Sequence, residues 1–215
     1  MMTIWFASGN VHKKKELSDI LNIDLKIPFE AGLVFEPEET GNTFFENALL
    51  KAEELYRLLS SQEKKDVWRH GDAIIADDSG ICVDALGGRP GIHSARYCGL
   101  QPGGKLAGGK TLGADEKNRL LLAELGENTL RSGRFVCAMV LYFGPTRFFA
   151  AQETMEGLLV KNMEESRGQG GFGYDPILFI PELGKTVAEL TDEEKNRHSH
   201  RGKAGKAIAK ILSND

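Results

Sequence analysis

The chain has 215 residues, 41% of them hydrophobic, and a formal net charge of −4. That length supports a sizeable core, read as a single domain over residues 1–215 with two lobes sharing one sheet. The mild acidity and dispersed Lys and Arg exclude the bulk basic field that binds a nucleic-acid polymer. Local basic clusters at 13–15 and 197–206 suit a small anionic ligand instead. Cys82, Cys98 and Cys137 are widely spaced and odd in number, so neither a disulfide framework nor a zinc site follows. The start shows no charged leader and no apolar run reaches membrane-spanning length. The expectation is a soluble cytoplasmic protein with no membrane partner.

A short strand is predicted over 3–7, ended by Ser8-Gly9-Asn10, and a helix follows with Leu17, Ile20 and Leu21 on one face. Residues 25–27 are a candidate second strand, and 30–42 read as an acidic loop. Phe45, Ala48, Leu49, Ala52, Leu55 and Leu59 mark a long amphipathic helix with Thr43 as its N-cap. The apolar run 74–76 stops on Asp77-Asp78 and a turn at Ser79-Gly80. Residues 87–91 form another turn, 99–113 a long glycine-rich mobile loop, and 115–125 a helix capped by Gly126. Runs at 135–143 and 147–152 flank Gly144-Pro145-Thr146, a hairpin signature, and 158–160 can add a strand. After the glycine-rich loop 168–175 come an apolar run at 177–180, short helical stretches capped by Thr191 and Ser199, and a last helix over 204–212. Helices and hairpins joining the strands predict an α/β fold on a mixed sheet.

Two adjacent carboxylates at the mouth of a buried strand are costly unless they pair, neutralise or hold a metal; the bland reading is a loop whose Asp and Ser side chains bond their own backbone. Ser8-Gly9-Asn10-Val11-His12-Lys13 lies where a strand passes into a helix. Free amides there attract anions and Lys13 adds a charge, although a plain capped turn accounts for the same residues. Glu46, three residues after Thr43, reads as half of a capping box, yet a carboxylate at a helix start is also a well-placed metal ligand. Asn47 and Lys51, four apart, share a helix face.

Further stretches are Gly87-Gly88-x-Pro90-Gly91-Ile92-x-Ser94-Ala95-Arg96-Tyr97, Gly171-Phe172-Gly173-Tyr174-Asp175-Pro176 and Ser199-His200-Arg201-Gly202-Lys203-Ala204. With Ser8-Gly9-Asn10-x-x-Lys13, Thr40-Gly41-Asn42-Thr43-x-x-Glu46-Asn47-Ala48 and Ala76-Asp77-Asp78-Ser79-Gly80, and in this order, the set closely resembles the inosine triphosphate pyrophosphatases. That family hydrolyses aberrant purine nucleoside triphosphates. The long stretch 99–113 departs from the short loop usual there and leaves these motifs intact.

The resemblance implies a two-lobed α/β fold on a long mixed sheet flanked by helices, with the active site in a cleft between lobes, and a homodimer dependent on Mg²⁺. The implied substrates are ITP, dITP and XTP, cleaved to the monophosphate and pyrophosphate. Glu46 and Asp78 are the implied metal ligands, Asp78 also the base toward water, and Asp77 a helper. Ser8, Gly9, Asn10, Val11, His12, Lys13 and Lys51 would hold phosphates, and Ser79 a phosphate or the sugar. Phe172 would stack on the purine in a loop completed by Gly173, Tyr174 and Asp175, with Lys195, His200 and Arg201 at the base edge. Donors there favour a 6-oxo purine over adenine, which presents an amino group at that position. Two other readings are a nucleotide-binding or sensing module without turnover, and a phosphatase releasing orthophosphate.

Overall fold

A computed structural model describes residues 2–61, 67–69, 71–99 and 112–213. Residues 100–111, most of the expected glycine-rich loop, lie outside the described residues. The described chain forms a six-stranded sheet in the order β1-β2-β3-β4-β5-β6. These strands are β1 Ile4–Phe6, β2 Ala73–Val83, β3 Ser132–Gly144, β4 Arg147–Leu159, β5 Leu178–Ile180 and β6 Lys185–Thr186. β1 runs parallel to β2, with Trp5 opposite Ile74, whereas β4–β5 and β5–β6 are antiparallel. The helices are α1 Val11–Leu21, α2 Phe44–Leu59, α3 Ala114–Leu125, α4 Asp192–His198 and α5 His200–Leu212. A mixed sheet flanked by helices is the α/β class expected.

The chain divides into two compact units: Met1–Asp78 with Cys137–Glu153 and His200–Asp215, and Ser79–Val136 with Thr154–Ser199. The divisions fall within β2, β3 and β4. In the first unit, successive strand residues face opposite sides of the sheet. Ile4, Phe6, Ile75, Cys137, Met139 and Leu141 pack with Leu17 and Leu21 of α1 and Ala204 and Ile208 of α5. Trp5, Ile74, Ala76, Val140 and Tyr142 pack with Ala48, Ala52, Leu55 and Leu59 of α2. Each fully buried Leu of this kind contributes about 1.5–3 kcal/mol. The core of the second unit gathers Leu121, Leu122 and Leu125 of α3 against Ile81, Val83, Phe135, Met155 and Leu178.

Several elements differ from expectation. β2 continues through Asp77, Asp78, Ser79 and Gly80 to Val83, with no turn at the acidic pair. Both aspartates find partners on the flanking helices, Lys13 and Arg201 for Asp77 and Lys51 and Asn47 for Asp78, so the backbone need not bend them toward water. Gly80 keeps the strand close to the turn that follows: a Cβ there would collide with the Gly91 carbonyl and the Ser94 hydroxyl. Gly80→Ala therefore destabilises the protein by about 1–3 kcal/mol, the usual cost of overpacking, which thermal unfolding reads directly. Residues 25–27 supply only one bridge, Lys26 to Trp5, because the chain leaves the sheet at once into a 3₁₀ turn at Pro28–Ala31. The hairpin strands outrun the expected spans, and the predicted strand at 158–160 is mostly the end of β4. α5 begins at His200 rather than 204. Ser199 breaks the helix with an extended backbone while its N–H still closes α4 on the Lys195 carbonyl, 2.9 Å away.

Candidate active site

Strand alternation sends the two adjacent carboxylates to opposite faces of β2. Asp77 turns toward the α1 and α5 side and is 1% exposed. Lys13 Nζ donates to both its oxygens at 3.0 and 2.9 Å, Arg201 Nη2 and Nε donate at 3.1 and 3.4 Å, and the Cys137 thiol lies 3.9 Å away. Burial works to raise the Asp77 pKa, but Lys13, Arg201 and Lys51 outweigh it and hold the carboxyl well below the usual range. Burial, aided by the Asp77 charge, pushes the Cys137 thiol up to about 12, so it stays protonated.

Asp78 turns toward α2. Its Oδ1 accepts from Lys51 Nζ at 3.0 Å and its Oδ2 from Asn47 Nδ2 at 3.3 Å. Lys51 also meets Glu39 Oε1 at 2.6 Å and the Asp77 carbonyl at 3.2 Å, and Asn47 Oδ1 accepts from the Gly41 amide at 2.9 Å. Burial raises the Asp78 pKa; Lys51 pulls the other way and nearby Glu39 adds to the rise. Burial also disfavours the charged form of Lys51, but Asp78, Asp77 and Glu39 more than offset it and keep the ammonium charged.

Thr43 and Glu46 form the capping box in full. Thr43 Oγ1 accepts from the Glu46 amide, while Glu46 Oε2 accepts from the Thr43 and Asn42 amides at 3.1 and 2.6 Å. The cap uses one Glu46 oxygen only. At α1, Asn10 caps the helix by accepting from His12 and Lys13 at 3.0 and 3.1 Å, and Ser8 Oγ accepts from the Asn10 amide. Those two helix amides, expected to be open to an anion, are thus already engaged, while Gly9, Val11 and His12 line the exposed turn. Arg201, expected at a base edge, is 2% exposed and bound to Asp77 and to Glu16 at 2.6 Å. His200, at the start of α5, is buried beside it in the chain.

In the second unit, Asp175 Oδ2 accepts from Lys195 Nζ at 2.8 Å and from the Phe172 amide at 2.9 Å, and the Lys195 ammonium lies 5.0 Å from the Phe172 ring centre. A cation over a ring face is favourable. The Tyr174 hydroxyl donates to the Ser94 carbonyl at 2.9 Å, and Asn118 Nδ2 to the Gly173 carbonyl at 3.1 Å. So 172–175 is tied at three points, with Gly173 at a positive φ of 67° that favours glycine. Ser79 follows Asp78 on β2 and is half-buried. This unit also has a cavity of 610 Å³ lined by Arg131, Leu159, Lys161, Arg167, Phe179 and Thr186 among others; it includes none of the expected site residues.

Glu39, Glu16 and Asn118 were not singled out in the sequence. Glu39 is one more acid in a loop, and only its contact with Lys51 distinguishes it. Asn118 carried a signal, a polar residue on the buried face of α3 among Leu121, Leu122 and Leu125. Among the described residues no group of three or more His, Cys, Asp or Glu is placed to hold a metal ion. The donor chemistry still fits Mg²⁺ bound together with a substrate. Mg²⁺ takes one or two carboxylates and completes its shell with phosphate oxygens and water. Asp78 keeps lone pairs on both oxygens, and Glu46 keeps its Oε1.

The Ham1 family model matches residues 4–211. The chain is 44% identical to the dITP/XTP pyrophosphatase of Treponema denticola over 98% of each chain. It is 39% identical to the enzyme of the same name from Bacillus subtilis, over 96% of this chain and 94% of that one. Among solved structures, a HAM1 protein from Coxiella burnetii superposes with a TM-score of 0.81 at 32% identity, covering 100% of both chains. The Staphylococcus aureus Ham1 protein does so at 0.78 and 34%, covering 99% of this chain and 98% of that one. With a match along nearly its whole length and with the fold these proteins share, the chain belongs to the Ham1 family.

Proposed function

We propose that the chain is a nucleoside-triphosphate pyrophosphatase that hydrolyses dITP, XTP and ITP to the monophosphate and pyrophosphate. The relatives matched along its length are named for that activity. The observation that carries the reading is Asp78: a buried carboxylate held in one orientation by Lys51 and Asn47, with a proton affinity raised by burial. A carboxylate fixed in one orientation can direct a water for in-line attack, which is most of what a phosphoryl-transfer site has to do.

Asp78 orients a water and takes its proton as the water oxygen attacks the α-phosphorus. The bond from that phosphorus to the α–β bridging oxygen breaks, and pyrophosphate leaves with the bond's electron pair. Glu46 Oε1 and Asp78 would hold Mg²⁺, which screens phosphate charge and makes a neighbouring water easier to deprotonate. Ser8, Gly9, Asn10, Val11, His12 and Lys13 would hold the outgoing phosphates, and Ser79 a phosphate or the sugar.

Phe172, Gly173, Tyr174 and Asp175 would take the purine, with Phe172 stacking and Lys195 and His200 donating toward the 6-oxo group. Arg201 joins them only by leaving Asp77 and Glu16. Assembly as a homodimer and a cytoplasmic location are parts of the same reading, supported by the resemblance. No described helix is long and apolar enough to cross a membrane.

Incubation with dITP and Mg²⁺, with products resolved by ion exchange, tests the reaction. Pyrophosphate in equal amount to dIMP is the expected result. Orthophosphate would make the chain a phosphatase, and binding without product a sensing module.

A further inference from the structure

We propose that Asn118 of α3 is a positioning residue for the purine: its amide fixes the Gly173 peptide and, through it, the Phe172 ring. This inference rests on the reading of 172–175 as the loop that takes the base.

Asn118 stands on the stripe of α3 that carries Leu121, Leu122 and Leu125, and it is 0% exposed. A polar side chain in an apolar stripe is costly unless its hydrogen bonds are met. Asn118 meets them only in part. Its Nδ2 donates to the Gly173 carbonyl at 3.1 Å, while its Oδ1 has no hydrogen-bond partner among the described residues. Turning the amide over is no remedy, because two carbonyl oxygens would then face each other. A leucine suits the stripe and leaves no side-chain acceptor unmet. What the asparagine adds is the bond to the loop.

Gly173 is where the loop needs that bond. Its φ is 67°, and a glycine reaches either sign of φ with similar ease, so the peptide that follows it has little preference of its own. The ties on either side hold its neighbours. The Phe172 amide donates to Asp175 Oδ2 at 2.9 Å, and the Tyr174 hydroxyl donates to the Ser94 carbonyl at 2.9 Å. Ser94 Oγ accepts in turn from the Ile81 amide of β2 at 2.9 Å. Between those ties the Gly173 carbonyl is held by α3. The Phe172 ring is thereby presented in one orientation before a base arrives. Without Asn118 this residue is ordered only on binding, and fixing one residue's backbone costs enough to weaken binding by about 5–30-fold. Pyrophosphate carries no base and does not share in the loss.

The test is titration calorimetry of the full chain with dIMP and, separately, with pyrophosphate and Mg²⁺, with thermal unfolding and dITP kinetics alongside. Asn118→Leu is expected to weaken dIMP by about 5–30-fold and to leave pyrophosphate within about 2-fold of wild type. KM for dITP rises by a similar factor, kcat stays within about 3-fold, and Tm is at or above that of wild type. Asn118→Ala is the second variant. Its cavity lowers Tm, and the same difference between the two ligands is expected. Unchanged dIMP affinity in both variants, or an equal loss for dIMP and pyrophosphate, overturns the proposal and leaves Asn118 a packing residue. The wild type separates this proposal from the reaction it rests on. Binding of dIMP without turnover of dITP refutes the reaction and leaves the positioning to be read from dIMP affinity. Binding of pyrophosphate and not of dIMP refutes the base loop and the positioning with it.

Discussion

Asp78→Asn removes turnover by about 10³-fold or more and leaves the fold intact, since a positioned base alone supplies roughly 10²–10⁴ of rate and its orientation adds to that. The substitution keeps the shape of the side chain and its acceptor toward Lys51, and loses the bond from Asn47, whose NH₂ would then face another NH₂. Removing a charge that burial disfavours compensates for that bond, so unfolding free energy moves by no more than about 1 kcal/mol. Because the folded-state pKa of Asp78 is raised, the folded protein holds this proton more tightly than the unfolded chain does. Stability linked to this carboxyl is therefore full below the unfolded aspartate range, about 4, and is lost as pH rises through the folded value. Asp78→Asn abolishes that slope. Pyrophosphate release at saturating dITP and thermal unfolding between pH 4 and 8 measure both effects. Wild-type turnover in the variant would remove Asp78 from the mechanism.

Local rules were legible where local physics decides the structure. Thr43 and Glu46 stand at the spacing of a capping box and form one. Asn47 and Lys51 share a face because a helix turns every 3.6 residues, and that buried face meets Asp78. The hairpin at Gly144-Pro145-Thr146 and the caps at Thr191 and Gly126 follow in the same way. The acidic pair shows where such reading stops. Adjacent carboxylates look like a joint site and a strand end. What keeps the strand going is Lys13, Lys51 and Arg201, the last 124 residues further along the chain. No local pattern links those cations to 77 and 78. The same period of two that orders the core then separates the pair, placing Asp77 among α1 and α5 and Asp78 against α2. Arg201 was legible as a cation in a family motif, but its burial on Asp77 and Glu16 is a tertiary fact. Glu39 is hidden for a similar reason, because a loop acid acquires meaning only from the lysine it meets.

Arg201→Met is expected to be the most destabilising of these changes. Arg201 and Asp77 are 2% and 1% exposed and 3.1 Å apart. The methionine fills much of the same space, so the effect is mainly electrostatic. Removing one partner of a buried ion pair leaves a desolvated charge behind, at a cost of about 3–5 kcal/mol. Lys13 remains on Asp77, which sets the expectation at the lower end of that range. For a chain of this size such a loss lowers Tm by roughly 6–12 °C. The pH dependence has a definite sign. Asp77 has a depressed folded-state pKa, so its contribution is present above the unfolded aspartate range, about 4, and is lost as pH falls through the folded value. Arg201→Met shrinks that acid-side loss, so the wild type and the variant converge in stability as pH is lowered. The double variant Asp77→Asn with Arg201→Met recovers part of the stability, because no unpaired charge stays buried. Thermal unfolding of the three proteins from pH 3 to 7 measures this directly. The ratio of dITP to ATP turnover in Arg201→Met separates two roles for the guanidinium. A retained ratio with lowered Tm leaves Arg201 on Asp77, whereas a collapsed ratio with wild-type Tm puts it at the base.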